Sequence, residues 1–189
     1  MKNKFKITFN SPVILTFTAL CLVATILNYV TRGKSNQLLF MTYRASLADP
    51  LTYVRLFTHV LGHSGWEHFI GNASYLLLLG PMLEEKYGSK IMIENIAVTA
   101  FVTALVNFIF FPHVGLCGAS GVVFAFIILT SFTSFQEGEI PLTFILVVVI
   151  YIGQQIVEGL FTHDNISQMG HIVGGIVGAV LGYNLNKKE

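Results

Sequence analysis

Four polar side chains stand within or at the edges of apolar runs: His68, Asn72, Ser120 and His171. Hydrocarbon penalises polar groups, so such residues inside membrane-length segments are functional candidates by default. A serine hydroxyl beside an imidazole is material for nucleophilic chemistry, since a neutral serine needs an adjacent base to attack. His68 and Asn72, four apart, fall on one helical face, and both can donate hydrogen bonds to a developing negative charge. Each alone has a plainer reading. Ser120 can bond its own helix backbone, Asn72 can join two helices, and either histidine can be a satisfied interior group. The joint pattern is what separates chemistry from packing.

The elements that must carry these residues follow from composition. Of 189 residues, 53% are hydrophobic and 11% charged, and the net charge is +1; the mean hydropathy is +0.68. A soluble domain carries about a quarter charged residues, so the apolar remainder faces lipid. The small net charge gives no basic footprint for nucleic acid. Cys21 and Cys117 lie in separate segments and form no disulfide framework. The basic start (Lys2, Lys4, Lys6) precedes an apolar run from Ser11 to Val30. That run is longer than a signal-peptide core of about 7–15 residues, which predicts a retained first span.

Six stretches approach the roughly 20 apolar residues that a spanning helix needs: about 11–31, 67–83, 91–112, 119–135, 140–158 and 168–186. The expected fold class is an all-α polytopic membrane protein of six transmembrane helices, a single membrane domain over 1–189. Polar turns separate the spans at 84–90, 112–115, 136–139 and 162–165. The connection at about 32–66 is too polar to cross, and loops of that length are usually functional or structured. Lysines 2, 4, 6, 86, 90, 187 and 188 fall on one side; Arg32, Lys34, Arg44 and Arg55 fall on the other. This bias predicts a multi-pass cell-membrane protein with both termini cytoplasmic.

On that topology spans two, four and six run in the same direction, and their opening turns share one depth near the outer side. Span two opens with His68 and Asn72, span four with Gly118-Ala119-Ser120-Gly121, and span six with Gly170-His171. Span six also carries Gly170, Gly174, Gly178 and Gly182 at intervals of four. Small residues on one face let two backbones approach closely. Span four answers with Gly118, Gly121 and Ala125, so this seam would bring the His171 imidazole within reach of the Ser120 hydroxyl.

From about Arg55 to Gly182 the chain resembles the rhomboid family of intramembrane serine proteases. The resemblance rests on three motifs: His63-Ser64-Gly65-Trp66-Glu67-His68-Phe69-Ile70-Gly71-Asn72, Gly118-Ala119-Ser120-Gly121, and Gly170-His171-Ile172-Val173-Gly174 with Gly178 following. It implies a rhomboid-like bundle in which Ser120 is the nucleophile and His171 the general base. His68, Asn72 and the backbone N–H of Ser120 would form the oxyanion hole. Gly118, Gly121, Phe124, Gly174 and Gly178 would support the site, with Phe124 one turn below Ser120 and placed to pack on the His171 ring. No carboxylate stands in the opening turns, so a dyad rather than a triad is expected. The implied activity is hydrolysis of a peptide bond in or near the outer edge of a substrate transmembrane helix, without metal or cofactor. The partners are single-span membrane proteins and the lipid bilayer. Val54-Arg55 stands where relatives often have Trp-Arg, and Phe124 where some have tyrosine. Two other readings compete: a non-catalytic rhomboid-like protein that binds membrane helices, and a metal site using His59, His63 and His68. The latter lacks an H-E-x-x-H pair.

Overall fold

The computed structural model describes residues 7–133, 139–161 and 165–186. Its helices are α1 (Pro12–Val30), α2 (Pro50–Thr58), α3 (Trp66–Phe110), α4 (Ser120–Phe132), α5 (Leu142–Phe161) and α6 (Asn165–Asn186). Among the described residues there is no strand beyond an isolated antiparallel bridge between Thr42 and Leu116. The expected polar turns at 136–138 and 162–164, and Lys2, Lys4, Lys6, Lys187 and Lys188, lie outside the described residues.

The 45 residues of α3 would span about 67 Å as a straight helix, twice a hydrocarbon core. Gly88 breaks it: its φ of 82° and ψ of 157° lie in a region open to glycine. The chain folds back there into two arms of about 33 Å each. His68 at the start of the first arm lies against Gly118, and Thr103 near the end of the second lies against Gly121. The arms are therefore antiparallel, and the expected turn over 84–90 narrows to one residue. Among the described residues, α1 and α3 are long and apolar enough to cross a membrane by themselves.

The core gathers around α4. Val122, Phe126 and Leu129 are fully enclosed, and Leu76, Leu83, Met92 and Ile14 close the space between α1, α3 and α4. This helix is short: 13 residues make about 20 Å, roughly 10 Å less than a hydrocarbon core. Its most extensive partner is α6. A Cβ on Gly174 would overlap the Gly121 carbonyl, one on Gly178 the Ala125 carbonyl, and one on Gly182 the Phe132 ring. Only hydrogen fits at these positions, so the glycines set the distance between the helices.

The connection at 32–66 is structured. It holds a π-helical turn (Asn36–Phe40), α2 and a 3₁₀ turn (His59–Leu61). Asp49 caps α2 by accepting from Leu51 N–H at 2.9 Å and pairs with Arg55 at 2.9 Å. These contacts hold its carboxyl below the usual carboxylate range, the Leu51 N–H most of all. The buried Arg55 guanidinium also donates to the Leu38 carbonyl at 3.2 Å and sits over the Tyr43 ring.

Candidate active site

The turn before α4 is irregular backbone, and its polar groups are claimed from several sides. Leu116 exchanges both backbone hydrogen bonds with Thr42, at 2.9 and 2.8 Å. The Gly118 N–H donates to the His59 carbonyl at 3.0 Å, and Asn107 Nδ2 to the Val114 carbonyl at 3.1 Å. The long connection and the second arm of α3 thus clamp the segment that delivers Ser120. Gly118 has a φ of +134°, and a Cβ there would stand 2.8 Å from His68 Cε1. Both facts require glycine.

Ser120 is the first residue of α4 and is half-buried. The helix has no side-chain N-cap, so its first N–H groups are open to a bound anion and carry the positive end of the helix dipole. The His68 ring lies on Gly118. Its Nε2 is 2.9 Å, and the Ser120 Oγ 3.8 Å, from the point where a Cβ on Gly118 would sit. These two groups thus border one small space. Asn72 is buried at 7% exposure, and its amide nitrogen has no hydrogen-bond partner. A buried unpaired donor is destabilising by about 1–3 kcal/mol; the amide nitrogen of Asn95, on the second arm of α3, is unpaired in the same way.

His171 lies on the other side of the seam. Its ring stacks on Phe124, with centroids 4.2 Å apart and planes 6° from parallel. Phe124 is one turn along α4 from Ser120, on the same face. The Gly170 carbonyl lies 3.4 Å from a Cβ position on Gly121, and a Cβ on Gly174 would overlap the Gly121 carbonyl. The stretch 170–174 therefore passes directly beside Ser120 and Gly121. The helix begins at Asn165 rather than near Gln168, so His171 sits in its second turn and not its first. The added turn lies before His171 and leaves its register against α4 fixed by the glycines.

The other histidines have separate duties. His59 is buried, its Nε2 lies 3.3 Å from Thr103 Oγ1, and burial pushes its pKa down to about 4. His63 donates from Nδ1 to the Leu61 carbonyl at 3.1 Å and is likewise lowered to about 4, by burial and then by the nearby His68. Among the described residues no group of three or more His, Cys, Asp or Glu gathers around a point suited to a metal ion.

Sequence reasoning passed over the polar stripe of Asn95, Thr99, Thr103 and Asn107 on the second arm of α3. All four are buried, and the methyls of Thr99 and Thr103 pack on Gly121. Their spacing of four was a legible signal, masked by the apolar residues between them.

A short buried helix opening on a clamped glycine turn, with imidazoles approaching from both sides, is the setting in which the comparisons with known proteins fall. The rhomboid domain model matches residues 50–188. The chain belongs to the rhomboid family, whose members are embedded in the membrane. It is 24% identical over 174 residues to the rhomboid protease GlpG of Haemophilus influenzae, covering 89% of this chain and 88% of that one. It is 30% identical over 161 residues to rhomboid-related protein 2 of Mus musculus. That match covers 74% of this chain, which spans about half (53%) of the mouse protein.

Proposed function

We propose that the protein is an intramembrane serine endopeptidase working by a Ser120–His171 dyad. The observation that carries the reading is the register of the α4–α6 seam. The glycines of α6 interlock with Gly121 and Ala125 while His171 stacks on Phe124, one turn from Ser120. In this mechanism His171 takes the proton of the Ser120 hydroxyl as the oxygen attacks the peptide carbonyl. The tetrahedral intermediate places its negative oxygen against His68, the free amide of Asn72 and the N–H of Ser120. His171 then returns the proton to the leaving amine, and water, activated by the same imidazole, releases the acyl group. The stack on Phe124 fixes the plane of the imidazole.

The bundle comprises six spans: α1, the two arms of α3, α4, α5 and α6. Both termini are cytoplasmic. With its carboxyl end near the inner surface, α4 is about 10 Å too short to reach the outer one. Ser120 therefore opens into a recess below the outer surface, and irregular backbone is tolerated at that depth where it lines a wet cavity. Substrates are single-span proteins whose helix unwinds near its outer end. The similarity to a relative named a protease over most of both chains is in keeping with this activity.

The test is cleavage of a model single-span substrate in reconstituted membranes by wild type, Ser120→Ala and Cys117→Ala. Wild type and Cys117→Ala are expected to cut, and Ser120→Ala to be inactive. Cleavage by Ser120→Ala at the wild-type rate refutes the dyad. Binding without cleavage by wild type, over varied substrates and lipids, establishes a non-catalytic helix-binding protein instead.

A further inference from the structure

The outer mouth of the first arm of α3 holds a contact that the dyad mechanism leaves unused. Nδ1 of His68 lies 3.1 Å from the Ser64 hydroxyl and 3.5 Å from the Ser64 backbone N–H. A backbone N–H only donates, so it meets a lone pair at Nδ1, and the hydrogen of the neutral ring then resides on Nε2. Nε2 is the nitrogen turned toward Gly118, beside the space bordered by Ser120 Oγ. The neighbouring His63 has the opposite assignment. Its Nδ1 faces the Leu61 carbonyl, an acceptor, and must carry the hydrogen itself. The two rings meet edge to face with centroids 5.0 Å apart.

We infer that Ser64 is a positioning residue that holds His68 in its Nε2–H tautomer, so that a hydrogen rather than a lone pair faces the Ser120 side. In the other tautomer Nε2 would repel the oxyanion it is meant to stabilise. The hydroxyl orients the ring and, by donating to Nδ1, reinforces the same assignment as the backbone. Ser64 is exposed and touches no reacting atom, so its effect passes entirely through His68. The catalytic consequence rests on the proposed protease reading; the tautomer is a property of the resting protein and stands apart from it.

The experiment is ¹⁵N NMR of the full chain in bicelles with ¹⁵N-labelled histidine, His63 and His68 being assigned by His63→Gln and His68→Gln. At pH 7.5 wild-type His68 is expected to show a protonated Nε2 and an unprotonated Nδ1, with His63 reversed. Ser64→Ala is expected to move the His68 signals toward a mixture of tautomers, and Ser64→Thr to restore them. In parallel, kcat should fall about 3- to 10-fold in Ser64→Ala, the value of one hydrogen bond, with KM unchanged and recovery in Ser64→Thr. A His68 protonated on Nδ1 in wild type overturns the inference, as does a Ser64→Ala spectrum indistinguishable from wild type. Should the protein cleave no substrate, the spectra still decide the point.

Discussion

Two buried polar residues at opposite ends of the bundle, Glu84 and Asn72, have opposite surroundings. At the end away from Ser120, Glu84 is 5% exposed yet fully engaged. Its carboxylate accepts from the N–H groups of Val13 and Ile14 at 3.1 Å each and from the Ser89 hydroxyl at 2.7 Å. It serves as the N-cap that α1 lacks and ties α1 to the fold-back at Gly88. Nearby, Lys86 donates to the Thr133 carbonyl at 3.0 Å and Asn186 to the Phe132 carbonyl at 2.8 Å, closing the last turn of α4. At the other end α4 opens without a side-chain cap and the Asn72 amide nitrogen has no partner. The satisfied carboxylate of Glu84 holds the fold together, whereas the free Asn72 donor, beside the opening of α4, is available to a group that arrives later.

That contrast can be broken by exchanging the fates of the two ends. Asn72→Ala should lower kcat about 10²- to 10³-fold, as loss of an oxyanion donor does. Its thermal midpoint should stay at or above that of wild type, because no bond is lost. A large loss of stability with normal turnover would make Asn72 a structural residue. Glu84→Ala should do the reverse. Removing the carboxylate strands two helix N–H groups and should destabilise by about 3 kcal/mol. Turnover per folded molecule should persist, as measured by cleavage normalised to the folded fraction.

Gly174→Ala sharpens the comparison, because the seam joins both ends. An added methyl there meets the Gly121 carbonyl, and forcing the helices apart should be destabilising by about 2 kcal/mol. Turnover should also fall, since His171 moves with α6; Gly175→Ala is the control, its Cβ finding only Ile128 at an ordinary 3.6 Å. A further test concerns pH. His59 and His63 have folded pKa values of about 4 against an ordinary 6.5. As pH falls below about 6.5 the unfolded chain gains protons that the folded one refuses, so stability declines down to about pH 4 and levels off below. Each group contributes at most about 1.4 kcal/mol per pH unit within that window. Unfolding midpoints between pH 7.5 and 5 measure the slope, and His59→Gln should flatten it.

The apolar runs and the glycine stripe were legible because both are periodic, and periodicity is a local property of sequence. Residues 84–90 read as a polar turn, but nothing local shows that Glu84 caps a helix some 70 residues earlier in the chain. Its partners Val13 and Ile14 offer only backbone N–H groups, which have no signature. The start of α6 was read from its apolar content, and Asn165 to Ser167 carry a single apolar residue, Ile166. The connection at 32–66 was expected to be functional or structured, but its contacts were not legible: Arg55, Thr42 and His59 act through backbone groups distant in sequence. His68, Asn72, Ser120 and His171 stood out through type and placement together, polar groups at matched positions on apolar helices.

The central claim is that the Ser120 hydroxyl is activated by His171 across the glycine seam. Reaction of the membrane-embedded protein with a fluorophosphonate, read by intact mass and peptide mapping, tests this without a substrate. One adduct on Ser120 is predicted, lost in Ser120→Ala, slowed by orders of magnitude in His171→Ala, and unaffected in Cys117→Ala. Labelling of Ser120 at the wild-type rate in His171→Ala, or no labelling of Ser120 in wild type, would contradict it.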